Sequence, residues 1–156
     1  EIFMNLERNS SRTQEISEML FNTYRSQIQF TSDTSLSVSF SKNSSINISD
    51  LSDPTKIKLP YGIGVYEPTL MMSMISETNI DLDALDRIRT NFVKLYFDNG
   101  HNKTYPNVLF DYHKQINDKG HIEAYNHWIL MKGDEDAFSK WCVSNKDQWD
   151  SFLSWF

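Results

Sequence analysis

The sequence predicts an α+β fold that is mainly α. A C-terminal antiparallel helix stack is expected, with a small β-hairpin or sheet element and an N-terminal helix against it. Three observations carry this reading. From residue 81 to the end, apolar residues recur at helical spacing and are punctuated by glycines. Residues 36–48 instead alternate apolar side chains with polar ones, mostly serine, the period of a strand with one buried face. All four tryptophans, Trp128, Trp141, Trp149 and Trp155, lie in the helical C-terminal part, where they mark the densest apolar region. A length of 156 residues suits one domain with a real core, so residues 1–156 read as a single unit.

Taken in order, residues 1–10 read as a flexible lead-in. The chain starts at Glu1 rather than at methionine, which suggests a fragment or a processed product, with Ile2-Phe3-Met4 as the tail of a removed signal or anchor. Ser11 and Gln14 match a capping box. Ile16, Met19, Leu20, Tyr24 and Ile28 then define a helix over residues 11–29. Residues 30–75 form the β-containing region. Leu36, Val38 and Phe40 predict one hairpin arm, and Ile46 and Ile48 the other; a serine-rich linker is the competing reading. Ile57 and Leu59 alternate again, as do Ile63 and Val65, and Gly62 and Gly64 point to a bulge or a close backbone approach. Pro68 is read as ending that region. The apolar segment from Leu70 to Ile75 leans to helix.

Residues 81–156 form the helical stack. Asp81 caps a helix whose apolar side is Leu82, Leu85, Ile88, Phe92, Leu95 and Tyr96, with Asp83, Asp86, Arg87 and Lys94 pointing away. Asn99-Gly100 stops it. Pro106 suits the first turn of the next helix, which carries Leu109, Tyr112, His113 and Ile116. Gly120 and Gly133 bracket a run in which Ile122, Tyr125, Trp128, Ile129 and Met131 cover several faces, the mark of a helix surrounded by protein. Asp134 caps a helix bearing Phe138, Trp141 and Cys142. Asn145 with Gln148 predicts a last capping box, followed by Trp149, Phe152, Leu153 and Phe156.

Composition narrows the function classes. The net charge is −6 and no Lys/Arg block occurs, which argues against a nucleic-acid partner. No run is long enough to span a bilayer. A single cysteine excludes an internal disulfide, and its place in an apolar stripe makes Cys142 a small buried hydrophobe rather than a reactive thiol. Asn9, Asn43, Asn47 and Asn102 begin N-x-[ST] sequons, but the Asn/Ile/Lys/Ser-rich usage fits an AT-rich bacterial genome, where such matches arise by chance.

Few motifs carry chemistry. His101, His113, His121 and His127 lie close together in sequence. Six residues separate His121 from His127, which puts them on different helix faces. Neither H-E-x-x-H nor a cysteine pair occurs, and the H-x-E at His121 lacks its partner P-C-x-x-C. No metal site and no cofactor are therefore expected. Glu123 and His127, at i and i+4, form either a carboxylate-oriented base or a structural polar pair. Tyr61-Gly62-Ile63-Gly64 is not a phosphate loop, and no G-x-S-x-G elbow occurs.

The stretch Gly120-His121-Ile122-Glu123-Ala124-Tyr125-Asn126-His127-Trp128, with Trp141 and Trp155-Phe156, resembles the C-terminal end of uncharacterised proteins from Bacteroidetes bacteria. The resemblance implies a bacterial origin and carries no activity.

Together these features predict a non-catalytic binding or assembly module, with a lean to the periplasm or cell envelope. A protein or glycan would be recognised through an aromatic groove at Tyr125, Trp128 and Trp155, unless the hairpin or N-terminal helix covers those rings. The alternative is a hydrolase-type enzyme built on Glu123 and His127, assisted by His113 or His121.

Overall fold

The structure is a computed structural model that describes residues 1–8, 10–32, 35–41 and 59–156. Its element order begins α1 (Ile2–Leu6), α2 (Ser11–Gln27), β1 (Ile28–Ser32) and β2 (Ser35–Val38). A π-helical turn (Gly62–Tyr66) runs into α3 (Glu67–Ser73). Then come α4 (Leu82–Asp98), α5 (His101–Thr104), α6 (Val108–Asp118) and α7 (Ile122–Leu130). A 3-10 turn (Met131–Gly133), α8 (Glu135–Ser144) and α9 (Lys146–Trp155) complete the chain. The fold is α+β and mainly α, as the sequence predicts.

Helix α7 is the axis of the core. Every residue from Ala124 to Leu130 is buried, and α2, α4, α6 and α9 all pack against it. Its apolar side chains leave no face that tolerates water, so the other helices must enclose it. The caps of the helices around it, α4, α6 and α8, follow the sequence. Asp81 accepts from Ala84 N at 2.8 Å and Asp134 from Ala137 N at 3.0 Å. Gly100 and Gly120 hold φ of 70° and 76°, the left-handed region that ends α4 and α6.

The N-terminal half departs further from expectation. Where a flexible lead-in was expected, Ile2–Leu6 form α1, and Met4 is fully buried. Ser10, not Ser11, caps α2: its hydroxyl accepts from Thr13 N, while the Thr13 hydroxyl accepts from Ser10 N. The buried face of α2 holds Thr13, Ser17 and Phe21, and Met19 is 66% exposed. Small polar residues win this face because α2 lies close against the turn after α7, where the Ser17 hydroxyl accepts from Lys132 N at 3.1 Å.

The hairpin pairs differently from the sequence expectation. The strand bearing Leu36 and Val38 pairs backward with β1, in antiparallel register Phe30↔Leu36 and Ile28↔Val38. Ile28 and Gln29 thus belong to a strand and not to the end of α2. The predicted second arm, Ile46 and Ile48, and Ile57 lie outside the described residues. Ile63 and Val65, expected to alternate, sit in the π-helical turn. Pro68 is the second residue of α3, directly after the π-helical turn, so it lies within a continuous helical run instead of ending a segment. Pro106 lies before α6, whose cap is Asn107. Asn145 and Gln148 form no capping box; Asn145 donates to Trp141 O and Gln148 to Glu123. Leu153, placed on the last apolar stripe, is 52% exposed. No helix among the described residues is long and apolar enough to cross a membrane.

Gly133 is not a left-handed cap. A Cβ there would lie 2.0 Å from Cγ and 2.3 Å from Cβ of Phe21, so the backbone of the 3-10 turn rests on that ring. Gly133→Ala is expected to cost at least 2–3 kcal/mol through overpacking, whereas Gly120→Ala, in open space, costs about 1 kcal/mol of backbone strain. Urea denaturation of the two variants checks the order; equal losses would mean that α2 does not press on this turn.

Candidate functional site

Two polar constructions interrupt the apolar interior, and both are organised by α4. The first is the seam between α4 and α7. Asn126, fully buried, accepts from Arg89 Nε at 2.8 Å through its carbonyl oxygen. Its amide donates to Asp86 Oδ1 at 2.9 Å and to Thr90 Oγ1 at 3.2 Å. Asp83 and Asp86 therefore do not both point away from the core, as the sequence suggested: Asp86 turns to Asn126, and Asp83 reaches His127. A helix enclosed on all sides has to find internal partners for its polar residues, and the acids of α4 supply them. Burial pushes the Asp86 carboxyl above the usual carboxylate range, against the hydrogen bond from Asn126 that favours its charged form.

His127 and Glu123 belong to the same seam. His127 is 1% exposed, and its Nδ1 donates to the Glu123 backbone carbonyl at 2.9 Å. Its Nε2 lies 3.1 Å from Asp83 Oδ1, and its ring stacks on Trp141 with centroids 4.2 Å apart. The Glu123 carboxylate accepts from Trp141 Nε1 at 2.9 Å and Gln148 Nε2 at 3.0 Å. Burial raises its proton affinity, but these two hydrogen bonds outweigh burial and hold it below the ordinary value. The pair is thus joined through a backbone carbonyl, with no hydrogen bond from the Glu123 carboxylate to the imidazole. Asp86, Glu123 and His127 do place one potential ligand atom each within 4.8 Å of one another, a grouping that the histidine spacing alone did not suggest. All three already bind protein donors or acceptors, so a cation there would compete with Trp141, Gln148, Asn126 and Asp83 for them.

The other expected site residues are dispersed. His121 stacks on Trp155, centroids 4.9 Å apart. Trp155 is 40% exposed, but Tyr125 is fully buried and Trp128 is 7% exposed. Asn5 of α1 donates to the Tyr125 hydroxyl at 2.9 Å, and Phe156 packs edge-on against Trp128. Of the three rings proposed for a surface groove, Tyr125 and Trp128 are therefore covered and Trp155 is not. Cys142 is half-buried, and burial pushes its thiol up, away from a reactive thiolate.

The second construction is a cavity of about 240 Å³ lined by α2, the π-helical turn, α3, α4 and α6, with Glu1 and with Phe40, two residues past β2. Its wall is a chain of aromatic contacts, Tyr24–Phe40–Tyr66–Phe92–Phe110, with neighbouring centroids 5.0–5.9 Å apart. Leu20, Leu70, Val93 and Leu109 fill the gaps. Glu1, Arg89 and His113 form its polar end. Arg89 is 5% exposed and has a protein partner on each nitrogen: Asn126 on Nε, Tyr24 at 3.2 Å, and an ion pair with the Glu1 carboxylate. Burial opposes the Glu1 charge, yet Arg89 holds this carboxyl below its ordinary value.

His113 is 4% exposed, and its Nε2 has no hydrogen-bond partner among the described residues. The nearest acceptor, Glu1 Oε1, is 3.7 Å away, too far for a hydrogen bond. Burial pushes the ring down to about 4; Glu1 opposes this shift and Arg89 adds to it. The ring is therefore neutral at pH 7.

Sequence reasoning placed His113 on the correct helix face but missed Arg89, Asn126 and Glu1. The available signal was a pair of polar residues inside otherwise apolar stripes, Arg89 between Ile88 and Phe92 and Asn126 between Tyr125 and Trp128. No family model, curated protein or solved structure matches the chain.

Two outcomes follow. Asn126→Leu strands Arg89 Nε and removes the donor to Asp86, and is expected to cost about 2–4 kcal/mol in urea denaturation; a loss under 1 kcal/mol would show that the seam is not coupled. His113 has a folded pKa below its unfolded value near 6.5, so its contribution is complete above pH 6.5. As the pH falls toward 4, the unfolded chain takes up the proton and that stability is lost, at up to about 1.4 kcal/mol per pH unit. The wild type should therefore lose stability more steeply than His113→Phe between pH 6.5 and 4.5; parallel profiles would refute a buried neutral ring.

Proposed function

We propose that this protein is a non-catalytic binding module, and that its binding site is the aromatic cavity beside α4 and not a surface groove. One observation carries the reading. The cavity is apolar along its walls, and its polar end includes His113, whose Nε2 is buried without a hydrogen-bond partner among the described residues. Ligand sites generally combine an apolar enclosure with a few convergent polar groups. A purely structural histidine, in contrast, would be expected to have its ring nitrogens satisfied.

The groups proposed for hydrolysis do not share one open space, although Glu123 and His127 lie close together. Of Glu123, His127, His113 and His121, only Glu123 lines the surface recess around Asp86 and Arg87, and only His113 lines the cavity. A hydrolytic site needs at least a base and a polarising group in one open space. Trp155 remains accessible, but a single ring does not make a groove for a glycan or protein. The envelope location and the bacterial origin rest on sequence usage and resemblance alone.

The test is binding of ethylbenzene followed by amide NMR shifts. Shifts are expected to cluster on α2, α4 and α6, and Val93→Phe, which fills the cavity, is expected to weaken binding at least tenfold. Absence of binding, or shifts centred on Trp155, would overturn the reading.

A further inference from the structure

Resting on that reading, we propose that the cavity takes an uncharged, largely apolar molecule bearing a hydroxyl group, which hydrogen-bonds to Nε2 of His113.

The argument runs by elimination at the polar end. Each nitrogen of Arg89 already has a partner, and its charge is offset by Glu1. A ligand carboxylate would find no free cation there and would face the Glu1 carboxylate. A ligand ammonium would find Glu1 already engaged and would face the Arg89 guanidinium. Either ion would lose its hydration without gaining a new counter-charge, which is the costly case. A hydrocarbon would fit the walls but leave Nε2 unpaired. A hydroxyl meets the remaining requirement, because it can donate to the ring nitrogen or accept from it and so suits either tautomer of neutral imidazole. The ring itself is fixed by its neighbours, 5.4 Å from Tyr125 and 6.3 Å from Phe110 between centroids. Its hydrogen-bonding direction is thus set by packing before any ligand arrives.

The walls define the rest of the molecule. Phe92 and Phe110 meet edge to face, and Tyr66 lies tilted against Phe92, so flat rings as well as alkyl chains find complementary surfaces. A volume of about 240 Å³ limits the occupant to a small molecule.

Four matched probes separate the possibilities: 4-ethylphenol, ethylbenzene, 4-ethylbenzoate and 4-ethylbenzylammonium, titrated by NMR into the full chain at pH 7.5. The expected ranking places 4-ethylphenol about tenfold tighter than ethylbenzene, with both ions weaker than ethylbenzene. In His113→Phe, 4-ethylphenol should fall to the level of ethylbenzene, while ethylbenzene keeps its affinity within about threefold. His113→Asn, which restores a hydrogen-bonding group, should recover part of the preference. Equal binding of phenol and hydrocarbon, tighter binding of either ion, or an undiminished phenol preference in His113→Phe overturns the ligand class and leaves the cavity reading standing. Failure of every probe to bind wild type overturns both. Should His113→Phe not fold, the wild-type ranking alone decides.

Discussion

Enclosure of α7 is the constraint on which the rest of this structure depends. A helix whose side chains from Ala124 to Leu130 are all buried has no solvent-facing side, so its neighbours must supply both apolar surface and hydrogen bonds. The apolar share comes from α2, α4, α6 and α9. The polar share comes mainly from α4, through Asp83, Asp86, Arg89 and Thr90. Asn126 matters most because one side chain satisfies a cation on one side and an acid on the other. Breaking either contact leaves a charge or donor buried without a partner, which costs far more than the hydrogen bond contributes.

That arrangement also separates the histidines. His127 faces the α4 acids and Trp141, His121 faces Trp155, and His113 faces the cavity. Proximity in sequence placed them within two consecutive helices and the turn between them. Rotation around those helices sent them to different surroundings. Arg89 links the two polar constructions, since Nε serves Asn126 while its other nitrogens serve Tyr24 and Glu1 at the cavity end. The cavity's polar end and the core seam therefore share a residue, and the position of α4 sets both.

The sequence is most legible where local chemistry acts alone. Asp81 and Asp134 cap helices because a short carboxylate can reach the N–H three residues on, whatever surrounds it. Gly120 ends α6 because few other residues tolerate its φ. Periodicity identified the buried side of α4 through Leu82, Leu85, Ile88 and Phe92. It failed on α2, where Met19 is exposed and Ser17 is buried, because close approach to the turn after α7 favours a small residue. Hydropathy does not encode that distance.

What the sequence determined by itself is the mainly helical α+β class, the caps at Asp81, Asp134, Gly100 and Gly120, and the enclosed state of the tryptophan-bearing helix, since each depends on residues near one another along the chain. What only the tertiary structure decided is which polar residues meet. The contact of Asn126 with Arg89, the burial of Tyr125 beneath α1, and the place of His113 beside Glu1 and Arg89 at the cavity end all join segments far apart in sequence. Their energies depend on distance and burial, and those exist only once the helices have packed.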